Sequence, residues 1–235
     1  LLLKLGANVN HVYNDKEECR LRTPLGNALL FLDTLPKCDV DAYVNNENNI
    51  IFALLNYGAD PNAKFQSWEM FDLTSPLFIA INIRNIKLVN ALLDYGAKVE
   101  HHRTEYFGQQ YWNSLDAAIY GGNNTGIEKI ILSRCNRDDL EFVLVDSTSL
   151  INAIESNIPE KIELILAFFI ELCTSPTPAD CSRIAFLLLG YEHRNFRFLY
   201  EFLVLFPNMK DKLDSRALEK YGESKSADII RNFDC

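Results

Sequence analysis

A chain of 235 residues, 48% of them hydrophobic, can bury a substantial core and does not have the composition of a disordered polymer. Its 32 acidic against 23 basic side chains leave a net charge of −9, which opposes binding to nucleic acid, because such affinity rests on Lys and Arg displacing counterions. No apolar run approaches the roughly 18 to 20 residues needed to span a bilayer, and six scattered cysteines without a CxxC pair predict reduced thiols in an intracellular compartment.

The first string, LLLKLGANVNH, enters in mid-pattern and is expected to be the cut end of a longer protein and not a signal peptide. Nearly the same string returns as LLNYGADPNA, Leu54 to Ala63, and as LLDYGAKVEH, Leu92 to His101. In each, a Leu-Leu pair followed by glycine predicts a helix end, because glycine enters the left-handed conformation cheaply. A second landmark alternates with the first: Thr23-Pro24-Leu25, Ser75-Pro76-Leu77 and a weaker Asn113-Ser114-Leu115. Thr or Ser before Pro predicts a helix start, the hydroxyl accepting an orphan N–H while Pro sits where no donor is needed.

Gly6 to Pro24, Gly58 to Pro76 and Gly96 to Ser114 are each 18 residues apart. Three connections of equal length are therefore expected to stack as β-hairpin-like loops. Between landmarks, PLFIAINIRNIKLVNALLDYGA breaks into two apolar runs, 77–83 and 86–93, about Arg84-Asn85, which predicts a hairpin of two short helices. Helices of two turns are marginal alone in water and must be stacked on neighbours. Pro24 to Gly58 is longer than Pro76 to Gly96 by 14 residues, and the excess falls in PKCDVDAYVNNENN, 36–49. Downstream, Ser149 to Ile154 starts a further expected hairpin ending near Phe168, RNFRFLYEFLVLF (194–206) parallels RNIKLVNALLDYG (84–96), and 215–233 is expected to close the chain as a cap.

These residues resemble the ankyrin repeat: TPL opening a first helix that carries Ala28, Ala80, Ala117 or Ala153, a Leu-Leu pair late in the second, then GA-[DN]-x-N. The resemblance implies an all-α solenoid of about five to seven helical hairpins with extended β-hairpin-like loops. Residues 1–135 carry well-marked repeats, and 136–235 divergent ones with a C-terminal cap. The outward loops exceed the family pattern by about five residues. It also implies a candidate hydroxylation site at Asn62, at the end of the GADPN turn; the alternative role for this side chain is to bridge loop backbone groups.

Catalytic motifs are absent: there is no GxxxxGK[ST], HExxH, GxSxG or Gly-rich dinucleotide loop. Gly121-Gly122-Asn123-Asn124 falls where a helical hairpin turns, and adjacent His101 and His102 point to opposite sides of an extended loop, a poor arrangement for one metal. No enzyme activity, no cofactor and no metal site is expected. A protein partner is expected instead, met through loops rich in large rings: Tyr13 in the first, Phe65, Trp68 and Phe71 in the second, Tyr106, Phe107 and Tyr111 in the third. Exposed rings cost about 25 cal/mol per Å² of apolar surface, so they either pack on the neighbouring loop or anchor a partner. The rings nearest the tips, Trp68, Phe71, Tyr106 and Phe107, are expected to be exposed. The chain is expected to act as a monomer without membrane insertion, as part of an effector delivered into host cytoplasm. The alternative makes 140–235 a cysteine-dependent catalytic helical domain, with the repeats recruiting its substrate.

Overall fold

The computed structural model describes residues 2–14, 20–46, 49–66, 73–99, 114–120 and 126–135, together with isolated positions between 158 and 204. The chain divides into two compact units, Leu1–Asp139 and Leu140–Cys235. In the second unit Glu160, Lys161, Leu164, Ile165 and Ala167 are helical, with Lys161 and Ile165 buried four residues apart on one helix face. The helices expected at 149–154, 194–206 and 215–233 lie outside the described residues, apart from the helical position Val204.

The first unit is mostly helical. Its elements in order are a short 3-10 turn η1 (Leu3–Leu5), strands β1 (Tyr13–Asn14) and β2 (Leu21–Arg22), then helices α1 (Pro24–Asp33), α2 (Lys37–Val44) and α3 (Ile50–Asn56). Strands β3 (Phe65–Gln66) and β4 (Leu73–Thr74) follow, then α4 (Pro76–Ile83), α5 (Ile86–Asp94), α6 (Ser114–Tyr120) and α7 (Gly126–Arg134). Helices α1 and α3, α4 and α5, and α6 and α7 pack as pairs. The first members of the pairs touch in sequence order, α1 against α4 and α4 against α6. Among the described residues no helix is long and apolar enough to cross a membrane.

Local chemistry explains several of the helix boundaries. The Thr23 hydroxyl accepts from the Gly26 N–H at 3.0 Å and the Ser75 hydroxyl from the Phe78 N–H at 3.2 Å, with Pro24 and Pro76 opening their helices. The outer helices use asparagine for the same purpose. Asn49 Oδ1 accepts from the Ile51 N–H at 2.8 Å, and Asn85 Oδ1 from the Leu88 N–H at 2.9 Å. At the other end Gly6, Gly58 and Gly96 all take left-handed conformations, with φ of 86°, 85° and 91°. Behind each glycine the following alanine N–H reaches back to the first leucine carbonyl, Ala59 to Leu54 and Ala97 to Leu92 both at 2.9 Å. This wrap satisfies carbonyls that the helix end would leave orphaned.

The core lies between the paired helices. Leu25, Leu29, Leu30 and Leu32 of α1 and Leu54 and Leu55 of α3 are buried in the first pair, and Leu77, Ile79 and Ile81 of α4 with Leu88, Val89, Leu92 and Leu93 of α5 in the second. The 14-residue excess between α1 and α3 supplies an extra helix, α2, whose Val40 and Val44 are buried one turn apart. Its polar side leans on the next pair: Asn85 Nδ2 donates to Asp41 Oδ1 at 2.8 Å, and Lys87 Nζ to Asn45 Oδ1 at 3.2 Å. A polar contact also enters the core. Arg84, itself left-handed at φ 63°, donates to the Ala118 carbonyl at 2.6 Å and lies 4.0 Å from Glu128, a fully buried carboxylate on α7.

Candidate protein-binding surface

The surface of interest is built by the connections between helix pairs. β1 and β2 are antiparallel, with Tyr13 opposite Arg22 and Asn14 opposite Leu21; β3 and β4 repeat this, with Phe65 opposite Thr74 and Gln66 opposite Leu73. The two hairpins are joined by one glutamine. Gln66 Oε1 accepts from the Leu21 N–H at 2.9 Å, and the Gln66 carbonyl accepts from Arg22 Nη1 at 2.8 Å. Arg22 is buried as a result, so its charge is spent holding the hairpins together and is withheld from solvent.

Two of the rings proposed from sequence fall within the described residues, and they have different fates. Tyr13 is partly exposed on β1: its hydroxyl accepts from Asn27 Nδ2 at 2.6 Å and its ring stacks on His11 with centroids 6.1 Å apart. Phe65 is fully buried, and its assignment as a partner anchor is corrected here. Its ring enters the start of α1 over Gly26, where a Cβ atom would come within 2.5 to 2.8 Å of three ring atoms. Glycine is therefore the residue that lets the second loop pack on the first pair's inner helix, the self-packing outcome for a loop ring. Trp68, Phe71, Tyr106, Phe107 and Tyr111 lie outside the described residues.

Asn62 is half-buried and fully used by the fold. Its Nδ2 donates to the Gly96 carbonyl at 2.9 Å and its Oδ1 accepts from the Lys98 N–H at 2.8 Å, while its own N–H donates to Asp60 Oδ1 at 2.9 Å. Asn10 makes the same set one unit earlier: Nδ2 to the Gly58 carbonyl at 2.9 Å, Oδ1 from the Asp60 N–H at 2.7 Å, and its N–H to Asn8 Oδ1 at 3.0 Å. Each amide therefore bridges two groups of the next turn, so an enzyme acting at the Asn62 Cβ must first release a side chain held by two long-range bonds.

Other exposed groups escaped the sequence reading. Phe31 on α1 is exposed and meets Tyr43 of α2 edge-on, with centroids 5.9 Å apart. Tyr57 and Tyr95, the residues before Gly58 and Gly96, are exposed, and the Tyr95 hydroxyl donates to Asn56 Oδ1. Their position just before each glycine was a usable signal, since a residue there faces outward from the helix end. Among the described residues no group of three or more His, Cys, Asp or Glu could hold a metal ion.

No family model matches the chain. No curated protein matches it in sequence either.

Proposed function

We propose that the chain is a divergent ankyrin-repeat array that binds another protein through its outward hairpins and the adjoining inner helices, acting by recognition and without chemistry of its own. The observation that carries this reading is the pairing of equal-length connections into hairpins that are tied to each other through Gln66 and seated on α1 through Phe65. Hairpin bases held in this way need no ordering on binding, which lowers the entropic cost of association. The Thr23 and Ser75 caps, the left-handed glycines and the repeated Asn10 and Asn62 bridges support the ankyrin assignment residue by residue. Across 136–235 the proposal extends the same design with a terminal cap, as a solenoid of five to seven hairpins.

Aromatic side chains of the outward loops, Trp68, Phe71, Tyr106, Phe107 and Tyr111, supply the anchors, since Trp and Tyr dominate binding hot spots. The net charge of −9 favours basic partners and speeds their approach. The proposed setting is intracellular, within a host-directed effector. Affinity capture with the double variant Trp68→Ala, Phe107→Ala tests the surface: loss of the partners held by the parent protein is expected, and undiminished recovery refutes the hairpin assignment.

A further inference from the structure

Helix α2 is held differently from the helices around it. It is 8 residues long and starts at Pro36 without the side-chain cap that opens α1, α3, α4 and α5. A helix that short is marginal unless it is packed. The other described helices approach a neighbour closely along the backbone, as α1 does α3 and α4, whereas α2 has no comparable approach to any of them. Side chains hold it instead: Val40 and Val44 are buried one turn apart, the Tyr43 ring meets Phe31 edge-on, and Asn49 Nδ2 donates to the Tyr43 carbonyl at 3.2 Å. Its polar side crosses to the start of α5, where Asp41 Oδ1 accepts from Asn85 Nδ2 at 2.8 Å and Asn45 Oδ1 from Lys87 Nζ at 3.2 Å. That crossing falls where the outer helices are least joined. Helix α5 packs against α7, but α3 and α5 have no comparable contact. Among the described residues they are linked by side chains, Lys87 Nζ lying 5.7 Å from the Phe52 ring centroid and the Tyr95 hydroxyl donating to Asn56 Oδ1. At the hairpin end the same joint is closed by Asn62, which spans the Gly96 carbonyl and the Lys98 N–H. Chain order puts α2 at the other end, after α1 and before α3.

We propose that α2 is a strap across the joint between the first and second helix pairs, and that it unlatches as a unit while the rest of the fold stays closed. Latched, it supplies the hold that α3 and α5 lack at the end away from the hairpins. Unlatched, it frees the start of α5, and the second pair tilts about the Asn62 end, which stays tied. Release gives up little: two buried valines, and polar groups of Asp41 and Asn45 that water satisfies in place of Asn85 and Lys87. Elements with so few buried apolar contacts open locally, well below the free energy of global unfolding. The inference rests on these contacts and stands whether or not the outward hairpins bind a partner.

Native-state hydrogen exchange of the whole chain at a series of low urea concentrations tests the strap. The amides of Val40 to Asn45 are expected to exchange about a hundredfold faster than those of α4, with little dependence on urea, and the amides of Leu88 to Asn90 to share that opening. Asn45→Ala cuts the bond to Lys87 but leaves the Asn85 cap of α5 intact. It should speed exchange in 40–45 by roughly three- to tenfold and that of 88–90 with it, while the amides of α4 and of Lys98 stay as they were. Three results would each overturn the proposal. Exchange of α2 only together with α4, at the rate of global unfolding, makes α2 a fixed part of the core. Faster exchange in 40–45 without any change in 88–90 makes it a loose appendage that holds nothing. Equal acceleration of every element by Asn45→Ala reduces its role to general stability.

Discussion

Gly26→Ala is the substitution whose effect depends most sharply on one neighbour. Alanine in a helix is favoured over glycine by up to about 1 kcal/mol, so on an open helix the change should stabilise. On α1 it cannot, because the new Cβ lies 2.5 to 2.8 Å from three atoms of the Phe65 ring, and that ring is fully buried with no free side to move toward. Overpacking of this kind costs roughly 1 to 3 kcal/mol and more than offsets the propensity gain. Phe65→Ala alone is expected to cost about 3 to 5 kcal/mol through lost burial and the cavity left over Gly26. With the ring gone, Gly26→Ala should change sign and stabilise by several tenths of a kcal/mol up to about 1. Urea unfolding followed by helical circular dichroism, on the parent, both single variants and the double, closes the cycle and should give a coupling of about 1 to 3 kcal/mol. Additive single effects, or a stabilising Gly26→Ala in the parent, would refute the seating of the second hairpin on α1.

Asn62→Ala removes both bonds to the next turn and is expected to cost about 1 to 2 kcal/mol, with faster hydrogen exchange at the Lys98 amide as the local readout. Asn62→Asp should keep the bond from the Lys98 N–H while setting a carboxylate against the Gly96 carbonyl, so it should be no better than alanine in the same urea assay. Arg84→Met leaves the buried Glu128 without its guanidinium, a loss of about 3 kcal/mol or more by thermal unfolding; adding Glu128→Gln should recover much of it. Asn85→Ala deletes the cap of α5 and the bond to Asp41, for about 1 to 2 kcal/mol, and proteolysis should then cut first within 37–48.

The helix boundaries were legible because they are written in backbone chemistry. Thr23-Pro24, Ser75-Pro76 and the three glycines each do a local job that needs no knowledge of the neighbours, and the structure places every one of them as expected. The insertion was located by arithmetic but not recognised as helical, since α2 offers only Val40 and Val44 to the core and is otherwise polar. That four-residue spacing was its one helical signal. Phe65 and Tyr13 looked alike in sequence, both rings near the base of a long connection. What separates them is a partner far along the chain: a glycine beneath Phe65 and an amide beside Tyr13. The pairing of Arg84 with Glu128 spans 44 residues and has no sequence signature at all.

The asparagine bridges set a measure as well as a bond. Each amide takes a donor and an acceptor from the turn ahead, so each turn is held to the next by a two-point link that cannot slip to a neighbouring residue. Under the proposed function, a partner that touches two consecutive turns meets a spacing set by these amides. In that proposal the surface works as a ruler, sorting partners by the distance between their contact points before the chemistry of any one contact is felt.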